Sequence, residues 1–127
     1  LGDALLVSGF ALFQEGSRDA ALAALDSFAG EWTAVDLASP RLARADFDAR
    51  VVFATTAEAK AVPRLESRFE VVCLKDDYGV ERTSAFGAGD AFAAAFLVAV
   101  AGGADIEDAR ARAREAAATA ARQPFSS

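Results

Sequence analysis

An alternation runs the length of this chain and restricts its fold more than any other feature. Short apolar runs, each the length of a strand, are separated by segments with helical spacing. The runs are "DALLVSGF" (Asp3–Phe10), "EWTAVDLA" (Glu31–Ala38), "ARVVFAT" (Ala49–Thr55) and "FEVVCLK" (Phe69–Lys75). Apolar runs of this length, bounded by turn residues, read as buried strands. Between the first two, Ser17 reads as the N-cap of "SRDAALAALDSFAG", with Asp19 in the first turn and Gly30 as the stop. Ala20, Leu22, Ala23, Leu25 and Phe28 make its expected apolar face. "SPRLA" reads as a turn with room for one helical turn, "TAEAKAV" as a short helix stopped by Pro63, and "DDYG" as a turn after the fourth run. Strands alternating with helices predict βαβ units. The expected fold is α/β: a three-layer α/β/α arrangement with a mostly parallel sheet, its strands buried on both faces.

The last third of the chain is helical. Gly87–Ala101 is apolar on nearly every side, which predicts a deeply buried helix, and "GGA" breaks it. A final helix starts at Asp105 with Asp105, Glu107 and Asp108 in its first turn and Arg122 near its end, the polarity that a helix dipole favours. Ala109, Ala113, Ala116 and Ala120 form its expected buried stripe, and Pro124 closes it. The 127 residues suit one domain, and 54% apolar content supplies a core.

Composition excludes several kinds of chemistry. Histidine is absent, so His-based triads and His-metal clusters are out, and proton transfer falls to Asp, Glu, Lys or Tyr. Cys73 is the only cysteine, so no intrachain disulfide forms and the chain reads as intracellular, in the cytoplasm. A net charge of −6 without a basic cluster argues against a nucleic-acid partner. The apolar stretch Ala91–Ala101 is far shorter than the ~20 residues that a membrane span needs. With no methionine and Leu1 already inside an apolar pattern, the chain reads as a piece of a longer protein.

The chemistry concentrates in "SAFGAGDAFAAAF", from Ser84 to Phe96. In α/β folds ligands bind beyond the carboxyl ends of strands, where helices begin. Gly87, Ala88 and Gly89 let backbone N–H groups converge on an anion at such a helix start. An aspartate at Asp90 would repel a resting phosphate. It makes sense as the base that takes a proton from an attacking hydroxyl while the N–H groups hold the transferred phosphoryl group. The alternative is structural: Asp90 is a first-turn acid and the glycines form a tight loop. A Gly-x-Gly-x-x-Gly motif would need glycine at Phe92, and a Walker A loop would need Gly-Lys-Ser/Thr, which is absent.

"GAGDAFAAAFLVAVAGG" resembles the C-terminal signature of the ribokinase/PfkB carbohydrate kinases: Asp-Thr-x-Gly-Ala-Gly-Asp, then Ala/Thr-Phe and a small-residue helix. Gly87, Ala88, Gly89, Asp90 and Phe92 match it residue by residue. The resemblance implies an anion hole at Gly87-Ala88-Gly89, Asp90 as general base, and ATP-dependent phosphorylation of a sugar or nucleoside hydroxyl with Mg2+. "FATTAEA" is similar to the family's Asn-x-x-Glu segment. It places at Glu58 the glutamate that organises magnesium through water, with Thr55 at the Asn position. A solvated helix residue is the other reading of Glu58. Asp36 and Arg41 resemble the family's Asp-x-Asn-x-Arg region, and Asp36 reads equally as a strand-end turn residue. Gly79 matches one glycine of the family's nucleotide-side Gly-x-x-Gly. Lys75, close by, reads as a surface lysine at a strand end.

Departures are as specific as the matches. The family's Asp-Thr reads Ser84-Ala85, and "VERT" (Val80–Thr83) stands where members have further strands beside the nucleotide. The resemblance covers the C-terminal portion of a family member. The N-terminal portion, which carries the β lid and most sugar contacts, has no counterpart here. Three outcomes stay open: an active kinase, a kinase fragment that folds or binds nucleotide without transferring phosphate, and a binding module for another nucleotide. Sheet edges left open by such a truncation would favour self-association.

Overall fold

The computed structural model describes residues 3–9, 12, 15–37, 47–62, 64–77 and 87–122. Four strands, β1 (Ala4–Ser8), β2 (Trp32–Asp36), β3 (Val51–Ala54) and β4 (Val71–Leu74), form one sheet in the order β1-β2-β3-β4. Every neighbouring pair is parallel. Each strand adds to the same side of its predecessor. Helices α1 (Glu15–Ser27), α2 (Thr56–Ala61) and α3 (Leu65–Arg68) interleave with the strands, and α4 (Ala88–Ala101) and α5 (Ile106–Arg122) follow. The chain has the expected α/β fold with a parallel sheet. By compactness it divides into two units, Asp3–Leu74 and the residues from Lys75 onward.

In the first unit β3 is buried at every position, and Val35, Val51, Val52 and Phe53 have no exposed surface. β-branched side chains tolerate burial on both faces of a parallel strand. A fully buried side chain of this class contributes about 1.5–3 kcal/mol. On one face Val7, Val35, Val52 and Ala54 join Ala21 and Leu25 of α1 and Leu65 of α3 in a single core. Cys73 on β4 is likewise buried.

Several expectations are corrected. The first run, read as a buried strand, is an edge strand with Val7 alone buried, while Ala4, Leu6 and Ser8 are exposed. Helix α1 begins at Glu15, so Ser17 lies inside its first turn and is not its N-cap. Its buried positions are Ala21 and Leu25, with Leu22 and Phe28 half-buried, while Ala20 and Ala23 face solvent. Helix α3, entered through Arg64 in a left-handed conformation (φ 62°), lies where no helix was expected.

In the second unit α4 packs with α5. Helix α4 buries Ala88, Phe92, Ala93, Phe96, Leu97, Ala99 and Val100. It is not covered all round: Asp90, Ala94 and Val98 form an exposed line at four-residue spacing, and Val98 is 74% exposed. Gly102 and Gly103 end it. Gly103 has φ 99°, and Ala104 N–H reaches back to Ala99 O (3.0 Å), a six-residue closure of the Schellman kind. Asp105, expected in the first turn of the last helix, instead caps α5 from just outside it, its Oδ1 accepting Asp108 N–H at 2.8 Å. The alanine stripe of α5 runs Ala109, Ala113, Ala117 and Ala121, with Ala118 beside it, and expected Ala116 and Ala120 are half-buried. Pro124 lies outside the described residues.

Candidate functional site

The site starts from a glycine that must be a glycine. Gly87 is the N-cap of α4 at φ 81° and ψ −8°, a left-handed conformation that a side chain disfavours. Space is not the reason, because a Cβ there would meet nothing within 4 Å. Turning left at Gly87 starts the helix abruptly, and Gly87 O accepts Ala91 N–H at 2.8 Å. No side chain caps this terminus. The N–H groups of the first turn have no intrahelical acceptor by geometry, and the glycine at the N-cap has no side chain to take the capping role. The positive end of the helix dipole lies at the same place.

Ala88 is 1% exposed and anchors the turn in the unit's interior. Gly89 is half-buried, and a methyl group added to it would stand 3.3 Å from Lys75 Cδ. The aliphatic stem of Lys75 thus lies along the glycine turn, with the residue half-buried. Sequence reasoning took Lys75 for a surface lysine. The only hint was its place directly after a strand, and the contact spans a loop that no local pattern predicts. Asp90, the third helical residue, is exposed and acidic in the first turn. Gly87 and not Asp90 is the N-cap, and an acid in the first turn is also what the structural reading expects, since the helix dipole favours it there. Further along the same unit Arg114 Nε approaches Asp77 Oδ2 at 3.9 Å, tying α5 to the turn after β4.

The first unit carries the other candidates at the carboxyl edge of its sheet. Asp36 ends β2, pairs in register with Phe53 and is half-buried. Leu37 N–H donates to Phe53 O at 2.8 Å. Just past β3, Thr55 and Glu58 form a capping box. Thr55 Oγ1 accepts Glu58 N–H (3.1 Å), and Glu58 Oε1 accepts Thr55 N–H (2.9 Å). The "TTAE" spacing carries that signature. Glu58 is half-buried with one carboxylate oxygen committed to the cap. Arg41 and Gly79, and the Ser84-Ala85 pair, lie outside the described residues.

Among the described residues no three His, Cys, Asp or Glu gather into a metal cluster. No described helix is long and apolar enough to cross a membrane.

No protein-family model matches the chain, and no curated protein matches it by sequence. A solved structure does match: adenosine kinase from Schistosoma mansoni in complex with adenosine and AMP. The TM-score is 0.64 at 20% sequence identity, and the alignment covers 98% of this chain and 52% of the kinase. The chain thus spans about half the length of that neighbour. What the two share at this identity is the fold, an α/β architecture found within an adenosine kinase.

Proposed function

We propose that this chain is the nucleotide-side part of a carbohydrate or nucleoside kinase of the ribokinase/PfkB type, its 127 residues contributing to a single cytoplasmic kinase domain. The reaction is transfer of the γ-phosphoryl group of ATP to a hydroxyl of a sugar or nucleoside. The observation that carries this reading is the start of α4. A left-handed glycine opens the helix, no side chain caps it, and an exposed carboxylate stands at its third position. The fold shared with an adenosine kinase supports it.

In this reading the amides of the Gly87-Ala88-Gly89 turn hold the charge that builds on the phosphoryl oxygens. Asp90 accepts the proton of the attacking hydroxyl, which makes the oxygen a better nucleophile as the bond to phosphorus forms. Buried Ala88 and Phe92 hold this turn in place. Glu58 would hold magnesium through water, and the ion would supply charge neutralisation to the nucleotide's phosphates. Gly79 belongs to the nucleotide side. Partners are small hydroxyl-bearing molecules, with no role for nucleic acid or membrane.

The test is ADP release from ATP and Mg2+ over a panel of sugars and nucleosides. Asp90→Asn should lower turnover by about 100-fold or more while nucleotide binding persists. Equal turnover in that variant would remove Asp90 as the base. One observation favours a second reading, in which the chain folds and binds nucleotide without transferring phosphate: it matches 52% of the neighbouring kinase. That reading predicts a nucleotide-induced rise in Tm with no acceptor-dependent ADP release.

A further inference from the structure

The first unit contains a cleft of 990 Å3 that none of the chemistry above uses. It opens at the amino ends of the strands, beside Thr33 of β2, Arg50 before β3 and Glu70 before β4. Asp36 and the Thr55–Glu58 cap lie at the opposite, carboxyl ends. Its volume is at the upper end of the roughly 300–1,000 Å3 typical of small-molecule sites. Leu22 and Leu25 of α1, Phe47 and Ala49 give it an apolar wall, and Asp26, Asp48, Arg68 and Glu70 give it charge.

Both cations are already engaged. Arg50 Nε donates to Glu70 Oε2 at 2.7 Å and Nη1 to Glu31 Oε1 at 3.2 Å, while its guanidinium lies 3.7 Å from the centroid of Trp32. Burial works against that charge, but the hydrogen bonds and charges of Glu70 and Glu31 outweigh it and raise the Arg50 pKa. Arg68 lies over the Phe69 ring at 5.2 Å, and Phe69 in turn stacks on Phe47. An anion entering here would have to pull Arg50 away from two carboxylates. Among the described residues, Asp26 and Asp48 form no ion pair. Counting Glu31, four carboxylates stand against two guanidiniums. The cleft's excess charge is negative, and its wall is apolar and aromatic.

We propose that this cleft binds a small organic ammonium with an apolar body, its charge between Asp26 and Asp48 and its body against Leu22, Leu25 and Phe47. Aromatic and aliphatic walls suit such ions, because they shed water from the body while the charge keeps an ionic partner. Complementary charge, not area, selects the occupant.

Trp32 is the only tryptophan, and Arg50 couples it to the cleft, so its fluorescence reports occupancy. The experiment titrates the chain with 2-phenylethylammonium chloride, with sodium phenylacetate and ammonium chloride as controls at matched ionic strength. The expected result is a saturable fluorescence change with the organic ammonium alone. Asp26→Asn with Asp48→Asn should weaken it about tenfold, the sum of two modest exposed charge contacts. Asp19→Asn, on α1 outside the cleft, should leave it unchanged. Arg68→Gln, which removes a like charge, should tighten it about two- to threefold, and this variant decides the matter if the double variant folds poorly. Absence of saturation, equal binding of phenylacetate, undiminished affinity in the folded double variant, or no tightening in Arg68→Gln would overturn the proposal.

Discussion

Gly87 and Gly89 look interchangeable in the sequence and differ physically. Gly87 holds φ 81°, so Gly87→Ala should destabilise the chain by about 1–2 kcal/mol although the space beside it is open. Gly89 lies inside the helix, and its added methyl would meet only the flexible Lys75 stem. Lys75 can yield by a few tenths of an ångström, so Gly89→Ala should gain up to about 0.8–1 kcal/mol from helix propensity. Urea unfolding of the two variants measures both, and a Gly89 variant less stable than the Gly87 variant would contradict the assignment. The first position is glycine for its backbone. The second is a helical position where the missing methyl leaves room for the Lys75 stem.

At the scale of elements, the Thr55–Glu58 box is the clearest case of one residue claimed by two roles. Thr55→Ala should cost about 1 kcal/mol, the usual value of an N-cap. Glu58→Ala should cost less, and the double variant should lose less than the sum, because each hydrogen bond is half of a reciprocal pair. Strict additivity in a double-mutant cycle would mean that the box does not act as a unit. If Glu58 also orders water near the phosphates, Glu58→Ala lowers transfer where Thr55→Ala leaves it largely intact. The strands were legible because apolar runs and turn residues are local signals, while their order in the sheet is a tertiary feature that no local signal carries. Legible too were the Gly87–Asp90 turn and the start of the last helix near Asp105, whereas the cap at Thr55 went unread although its spacing carries the signature. Helix phase was less so: alanine fits either face of α1, and Ala20 and Ala23 went to solvent while Ala21 went inside. In α5 the expected stripe moved from Ala116 to Ala117, since four-residue rows from Ala109 continue through 113, 117 and 121. The stem of Lys75 against Gly89 could not be read, because it depends on tertiary closure between residues far apart in sequence.

For the molecule as a whole, the sheet's first strand is decisive. An apolar run cannot tell an edge strand from a central one, and β1 proved to be an edge with Leu6 42% exposed. β1 carries no lysine, proline or other charge to discourage a neighbouring strand. The chain should therefore self-associate as concentration rises, by adding a strand at β1. Leu6→Lys should suppress this without unfolding the protein, since Leu6 is not part of the core. Light scattering across a dilution series checks it, and a wild-type mass that stays monomeric at every concentration would refute it.

Cys73 offers a clock for the same sheet. As the sole thiol, 1% exposed on β4, it can meet an aqueous disulfide reagent only when the structure around it opens. When reclosing outpaces reaction, the labelling rate relative to a free thiol gives the population of the open form, a tenfold slowing for each ~1.4 kcal/mol of opening free energy. Labelling should therefore be slow in buffer and accelerate with urea. If β4 opens together with the rest of its unit, the rate should follow the global unfolding curve. If β4 frays by itself, the rate should exceed that curve at low urea, and one residue would then time the departure of one strand.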